Sequence, residues 1–144
     1  MLEEKFTTIP FPEDTSIVYV LRFRRPGKSD LIPFYVGESN RGMRRIGDYV
    51  TAQFAAATDF KVGVAVRSLR AFGCDIFVSY QETSDRRVDE AELIRRYSIR
   101  GHKLLNALQG YNYRTAERSA EESRIKQFVN SIFIADIPIS SVRN

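Results

Sequence analysis

Two stretches of alternating residues, followed at once by a change of period, constrain this 144-residue chain more than any other feature. From Ser16 to Phe23 the side chains of Ile17, Tyr19, Leu21 and Phe23 fall on one side and those of Val18 and Val20 on the other, the period of two that marks an extended strand. Arg24 to Asp30, with Pro26 and Gly27, interrupts the pattern, and Leu31 to Glu38 supplies a second strand. Two short strands joined by one loop predict an antiparallel hairpin. From Arg41 to Ala57 the period lengthens: Met43, Ile46, Val50, Phe54 and Ala57 recur at helical spacing on one narrow face. The change falls inside Phe34 to Tyr49, which reads as a strand ending at Gly37, a helix capped by Ser39 or Asn40, and Arg45 and Tyr49 one turn apart beside the apolar face.

A second helix is expected from Thr58 or Asp59 through Val62, Val66, Leu69 and Phe72 to Gly73. Val62, Val64 and Val66 also alternate as a strand would, but Val66 to Phe72 carries the helical pattern onward and decides for helix. Cys74 to Tyr80 is a third strand, with Ile76, Val78 and Tyr80 alternating against Phe77. Ser84 or Asp85 opens a helix running to about Arg100, and Lys103 to Leu108 returns to apolar character before Gly110 and Asn112 break it. A last helix begins near Ser119, where Ser119 and Glu122 have capping-box spacing, and continues through Ile125, Val129, Ile132 and Phe133. Residues 1–15 read as an irregular lead-in and the tail from Ile137 as frayed. The expected fold is α/β of the α+β type: one domain over 1–144, a small three-stranded antiparallel sheet flanked by helices, and an added C-terminal helical extension over 109–134.

Composition matters mainly for what it excludes. The lone Cys74 forms no internal disulfide, and with the lone His102 it cannot complete a Cys/His zinc site. No apolar run approaches the roughly 20 residues that cross a bilayer. The start Met1 to Lys5 lacks the basic-then-apolar layout of a signal peptide. The expectation is a soluble, cytoplasmic protein with no membrane partner. Lys and Arg exceed Asp and Glu by 22 to 18, a net charge of +4, with arginines gathered at 22–25, 41–45, 67–70, 86–87 and 95–100. A polyanionic partner is compatible with that balance.

Glu90 is the most informative single residue. On a helical wheel it falls among Leu93, Ile94 and Tyr97, whereas Glu92 points away with Arg95 and Arg96 as a solvated partner. A carboxylate on a core-facing stripe is costly unless paired, hydrogen-bonded or bound to a metal. The plainest explanation is an arginine partner. Each other candidate also has a plain explanation: Tyr19 and Tyr35 as core rings with hydroxyls at the rim, Arg45 and Tyr49 as surface residues, Gly37 as a turn, Asn106 as a helix-end residue.

Those explanations do not account for the shared order. Ile17-Val18-Tyr19, then Tyr35-Val36-Gly37, Arg45 and Tyr49 on the next helix, Glu90 followed by Ile94, and Leu104-Leu105-Asn106 together resemble the GIY-YIG nuclease superfamily. The layout is closest to the nuclease domain of bacterial excision-repair incision subunits, where a tyrosine likewise stands at the position other members give to histidine. The likeness covers residues 16–108. Ile17 departs from the usual first glycine, Val36 from isoleucine, and the interval from Ile94 to Asn106 is several residues longer than in the repair enzymes. The resemblance implies a metal-dependent endonuclease that hydrolyses phosphodiester bonds in nucleic acid, with DNA favoured. Glu90 would hold one Mg2+ or Mn2+ ion, Tyr19 or Tyr35 would take a proton from the attacking water, and Arg45 would contact the scissile phosphate. Tyr49 would tune that proton, Asn106 would close the core, and Gly37, Ser39, Arg41, Arg44 and Lys28 would lie along the nucleic acid. Specificity would come from loops, the helix after residue 115, a homodimer or a protein partner. Two alternatives remain open here: an inactive nucleic-acid-binding or interaction module on the same fold, and an unrelated α/β domain with core tyrosines.

Overall fold

The computed structural model describes residues 16–39, 57–108 and 118–135. Strand β1 (Ile17–Arg24) pairs antiparallel with both β2 (Ile32–Ser39) and β3 (Asp75–Glu82), so among the described residues the sheet order is β2-β1-β3 and β2 is an edge. Among the described residues three helices accompany it, α1 (Ala57–Ala71), α2 (Arg86–Ile99) and α3 (Arg118–Ile134), with a 3-10 turn at Leu105–Ala107. The α+β class, the hairpin and the third strand are those the periodicity predicts.

The alternation in β1 sorts its side chains between two cores. Ile17, Tyr19, Leu21 and Phe23 join α1 and α3 residues such as Val62, Leu69, Ile125 and Val129, while Val18 and Val20 join Val36, Leu93, Tyr97 and Leu104. Helix α2 therefore covers one face of the sheet and α1 the other, with α3 packed on α1. Val62, Val64, Ala65 and Val66 are all buried because α1 has neighbours on two sides. That double coverage explains why this segment alternates and yet is helical.

The pairing of β1 with β2 is not regular. Leu21 faces Tyr35 but Arg22 faces Pro33, which leaves Phe34 as an extra residue. Such a bulge turns two successive side chains to the same side, and both Phe34 and Tyr35 enter the larger core. Pro33 is tolerated because an edge strand has one side without ladder bonds.

The helix ends follow local chemistry. At α1, Gly73 has φ of 86°, its N–H donates to Arg70 O at 2.9 Å, and the Cys74 N–H donates to Leu69 O at 3.0 Å. This paired arrangement satisfies carbonyls that the helix leaves open and requires a residue free to take positive φ. Asp85 caps α2 by accepting from the Val88 N–H at 3.3 Å. From the turn after β1, Arg25 Nη1 donates to the carbonyls of Phe133 at 3.3 Å and Ala135 at 3.1 Å. A cation thus meets the negative end of the α3 dipole and ties the C-terminal helix to the hairpin.

Several boundaries differ from expectation. β2 continues through Gly37 to Ser39, so Gly37 lies inside the strand opposite Tyr19 and is not a strand-to-helix turn. Helix α1 already contains Thr58 and Asp59, and α3 already contains Ser119, so none of the three precedes its helix as a cap. Apolar periodicity marks only the packed part of a helix, and a polar first turn extends beyond it. β3 runs to Glu82, beyond Tyr80. The lead-in over 1–15, the helix expected over 41–57 apart from Ala57, and the tail from Ile137 lie outside the described residues. Among the described residues no helix is long and apolar enough to cross a membrane.

Candidate active site

The candidate residues gather around the second half of β2, and Gly37 is the reason they can. Tyr19 faces Gly37 across the ladder, and a Cβ on Gly37 would stand 2.3 Å from both Cζ and Oη of Tyr19. No real side chain survives that approach, so glycine is needed here for space. With nothing in the way, the Tyr19 ring crosses over the β2 backbone and carries its hydroxyl toward the sheet edge. Tyr35 lies beside it with ring centroids 6.3 Å apart. Both rings belong to the larger core, Tyr19 at 1% exposure and Tyr35 at 7%.

Asn106 closes the edge from outside. Its Oδ1 accepts from the Val36 N–H at 2.9 Å and its Nδ2 donates to the Val36 carbonyl at 2.7 Å. One side-chain amide therefore pairs with β2 as a neighbouring strand would, at an edge where unmet backbone groups invite pairing with other chains. Both functional ends of the amide are committed to that task. Asn106 is thus a positioning residue, held by the 3-10 turn whose Leu105 is fully buried.

The opposite face of the same strand carries charge. Glu38 follows Gly37 and shares the face of Val36, toward α2, where it forms an ion pair with Arg86 in the first turn of that helix. One turn further along α2, Glu90 is half-buried, and its carboxyl is pushed above the ordinary range first by burial and then by the charge of Glu38. Among the described residues Glu90 forms no ion pair, so the expected arginine partner is not found there. Glu92 behaves as the wheel predicts: it accepts from Arg95 at 2.7 and 3.1 Å and from Arg96 at 3.2 Å, and those hydrogen bonds hold its carboxyl at about 2.

The sheet therefore separates the sequence-derived candidates. Tyr19 and Tyr35 lie on the α1 face, Glu90 on the α2 face and Asn106 on the edge between them. Ser39 ends β2 and is buried, at 6% exposure. Lys28 sits exposed in the turn at the far end of the hairpin. The length of β2 lies between it and Ser39, roughly 25 Å at strand rise, so Lys28 does not belong to this cluster. Arg41, Arg44, Arg45 and Tyr49 lie outside the described residues. Sequence reasoning missed Glu38 and Arg86, although the parity of Glu38 with Val36 was a usable signal.

The donor set fits a lightly held divalent ion and does not fit a closed cage. Among the described residues no group of three or more His, Cys, Asp or Glu side chains converges on one point. A half-buried carboxylate destabilised by a second one gains from any cation that approaches it, and Mg2+ requires few protein ligands because it retains its water. No protein family, curated protein or solved structure matches this chain.

Proposed function

We propose that this chain is a metal-dependent endonuclease that hydrolyses phosphodiester bonds in nucleic acid, with DNA favoured, at the outer edge of β2. The observation that carries the reading is Glu90: a half-buried carboxylate, set beside Glu38, with no cationic partner among the described residues. Carboxylates in that condition are uncommon in purely structural settings, because burial without a counter-charge is costly. The motif order that resembles the GIY-YIG superfamily supports the same assignment.

In this reading Glu90 holds the Mg2+ or Mn2+ ion. When bound, such an ion supplies charge neutralisation on the phosphoryl oxygens and at the leaving group. Tyr19 is the residue suited to take the proton of the attacking water, since Gly37 lets its hydroxyl reach the edge strand. A tyrosine acts as a base near neutral pH only where nearby positive charge lowers its pKa. The resemblance assigns Arg45 to the scissile phosphate and Tyr49 to the proton, with Arg41 and Arg44 along the nucleic-acid backbone. Asn106 keeps β2 in place for all of them.

A second reading has its own support. Tyr19 is 1% exposed, and so buried a ring favours packing over proton transfer, as in an inactive nucleic-acid-binding or interaction module on the same fold. Incubating the purified protein with plasmid, single-stranded DNA and RNA, in Mg2+, Mn2+ or EDTA, separates the two. Cleavage that requires the metal is the expected result. Binding without cleavage under every condition would establish the module.

A further inference from the structure

We propose that Glu38 is a positioning residue for Glu90: by holding Arg86, it keeps that guanidinium off the Glu90 carboxylate and leaves the carboxylate open to a cation. The proposal rests on the reading of Glu90 as the cation-holding residue.

Helix α2 contains its own control. Residues three and four apart on a helix are neighbours, and oppositely charged pairs at that spacing normally meet. Glu92 follows the rule, taken by Arg95 and by Arg96 one turn ahead. Arg86 stands at the same spacing from Glu90 but in the reverse order, base before acid, which is the weaker arrangement for a helical pair, and its partner is Glu38 on the edge strand. The choice has a physical basis. Glu38 and Arg86 are 29% and 32% exposed, much as the Glu92–Arg96 pair is at 34% and 27%, so both attractions are only partly screened and an edge-strand carboxylate competes for Arg86 on equal terms with one on the helix.

The β2 edge is also held firmly enough to present Glu38 to α2. Val36, two residues earlier on the same face, is fixed by both ends of the Asn106 amide. Arg22 Nη2 donates to the Tyr97 hydroxyl at 2.9 Å and ties α2 to β1. With strand and helix both pinned, Glu38 intercepts the arginine that would otherwise neutralise Glu90. The second carboxylate thus serves the first without touching a ligand itself.

A three-variant comparison tests this. Mn2+ affinity is measured by titration for the wild type, Glu38→Gln, and the double variant Glu38→Gln/Arg86→Gln. Glu38→Gln releases Arg86 onto Glu90, so its Mn2+ affinity should fall by about tenfold or more, in the range usual for residues that orient a metal ligand. The double variant has no arginine to release and should recover most of the wild-type affinity. A double variant as weak as the single one would overturn the proposal, because Glu38 would then be acting as a ligand. An unchanged single variant would overturn it as well. The crystal structure of metal-free Glu38→Gln supplies a readout independent of the ion: Arg86 should lie on Glu90, and Arg86 pointing elsewhere refutes the positioning role alone. Equal Mn2+ binding by the wild type and Glu90→Gln would instead refute the cation reading of Glu90, and the purpose proposed for Glu38 with it.

Discussion

The two faces of β2 treat polar atoms in opposite ways. On the α1 side, Tyr19 and Tyr35 are sunk in the larger core with ring centroids 6.3 Å apart, and the missing side chain of Gly37 leaves room for the end of the first ring. On the α2 side, Glu38, Arg86 and Glu90 sit half-buried at the rim of the smaller core. The first face is an apolar design that happens to carry two hydroxyls. The second holds Glu90 without an ion pair among the described residues, which apolar packing alone does not explain. Tyrosine identity is therefore a weak pointer to chemistry here, and the carboxylates are a stronger one.

Breaking the tyrosine face should give the largest change in stability. Gly37→Ala drives a methyl group into the Tyr19 ring, and overpacking of this kind costs about 1–3 kcal/mol or more. Urea unfolding checks it, and the same substitution in a Tyr19→Leu background should cost clearly less, since the two sites share one contact. Next comes the edge between the faces. Asn106→Ala leaves the Val36 N–H and C=O without their partner, which should cost about 1–3 kcal/mol and speed hydrogen exchange at the Val36 amide.

The hydroxyl alone is a smaller matter for the fold. Tyr19→Phe keeps the ring and should cost about 1 kcal/mol in a thermal or chemical melt. If Tyr19 is the base, the same variant loses roughly a hundredfold in cleavage rate. A well-folded variant with full activity would assign Tyr19 to packing. The smallest effect belongs to Glu92→Gln, whose carboxylate is solvated and, among the described residues, paired within its own helix. Its folded pKa is depressed to about 2, so what stability it adds is present above the ordinary carboxylate range and is lost as pH falls toward 2. Near neutral pH, cleavage and melting should hardly change, because exposed helical pairs contribute little.

These contrasts also mark what could be read from the chain alone. The split of β1 between two cores followed from alternation, and the opposite fates of Glu90 and Glu92 followed from the wheel, because both are local periodicities. The bulge at Phe34 was hidden, since it arises from pairing between strands and has no mark in the strand itself. From sequence Gly37 suggests a turn because glycine has two common uses, and only the position of the Tyr19 ring distinguishes them. The Asn106 clamp and the Glu38–Arg86 pair join residues far apart in sequence, and their partners become apparent only when the edge strand, the 3-10 turn and α2 are brought together.

The role of Glu90 is tested by the Mg2+-dependent cleavage rate of Glu90→Gln against the wild type, with melting followed on the same samples at neutral pH. A carboxyl whose folded pKa is raised binds more protons folded than unfolded, so stability falls as pH rises from the ordinary carboxylate value through the folded one. The neutral amide escapes that loss. The expected outcome is a variant that, free of metal, melts at or above the wild-type temperature and has lost cleavage. Wild-type cleavage by a well-folded Glu90→Gln would contradict it.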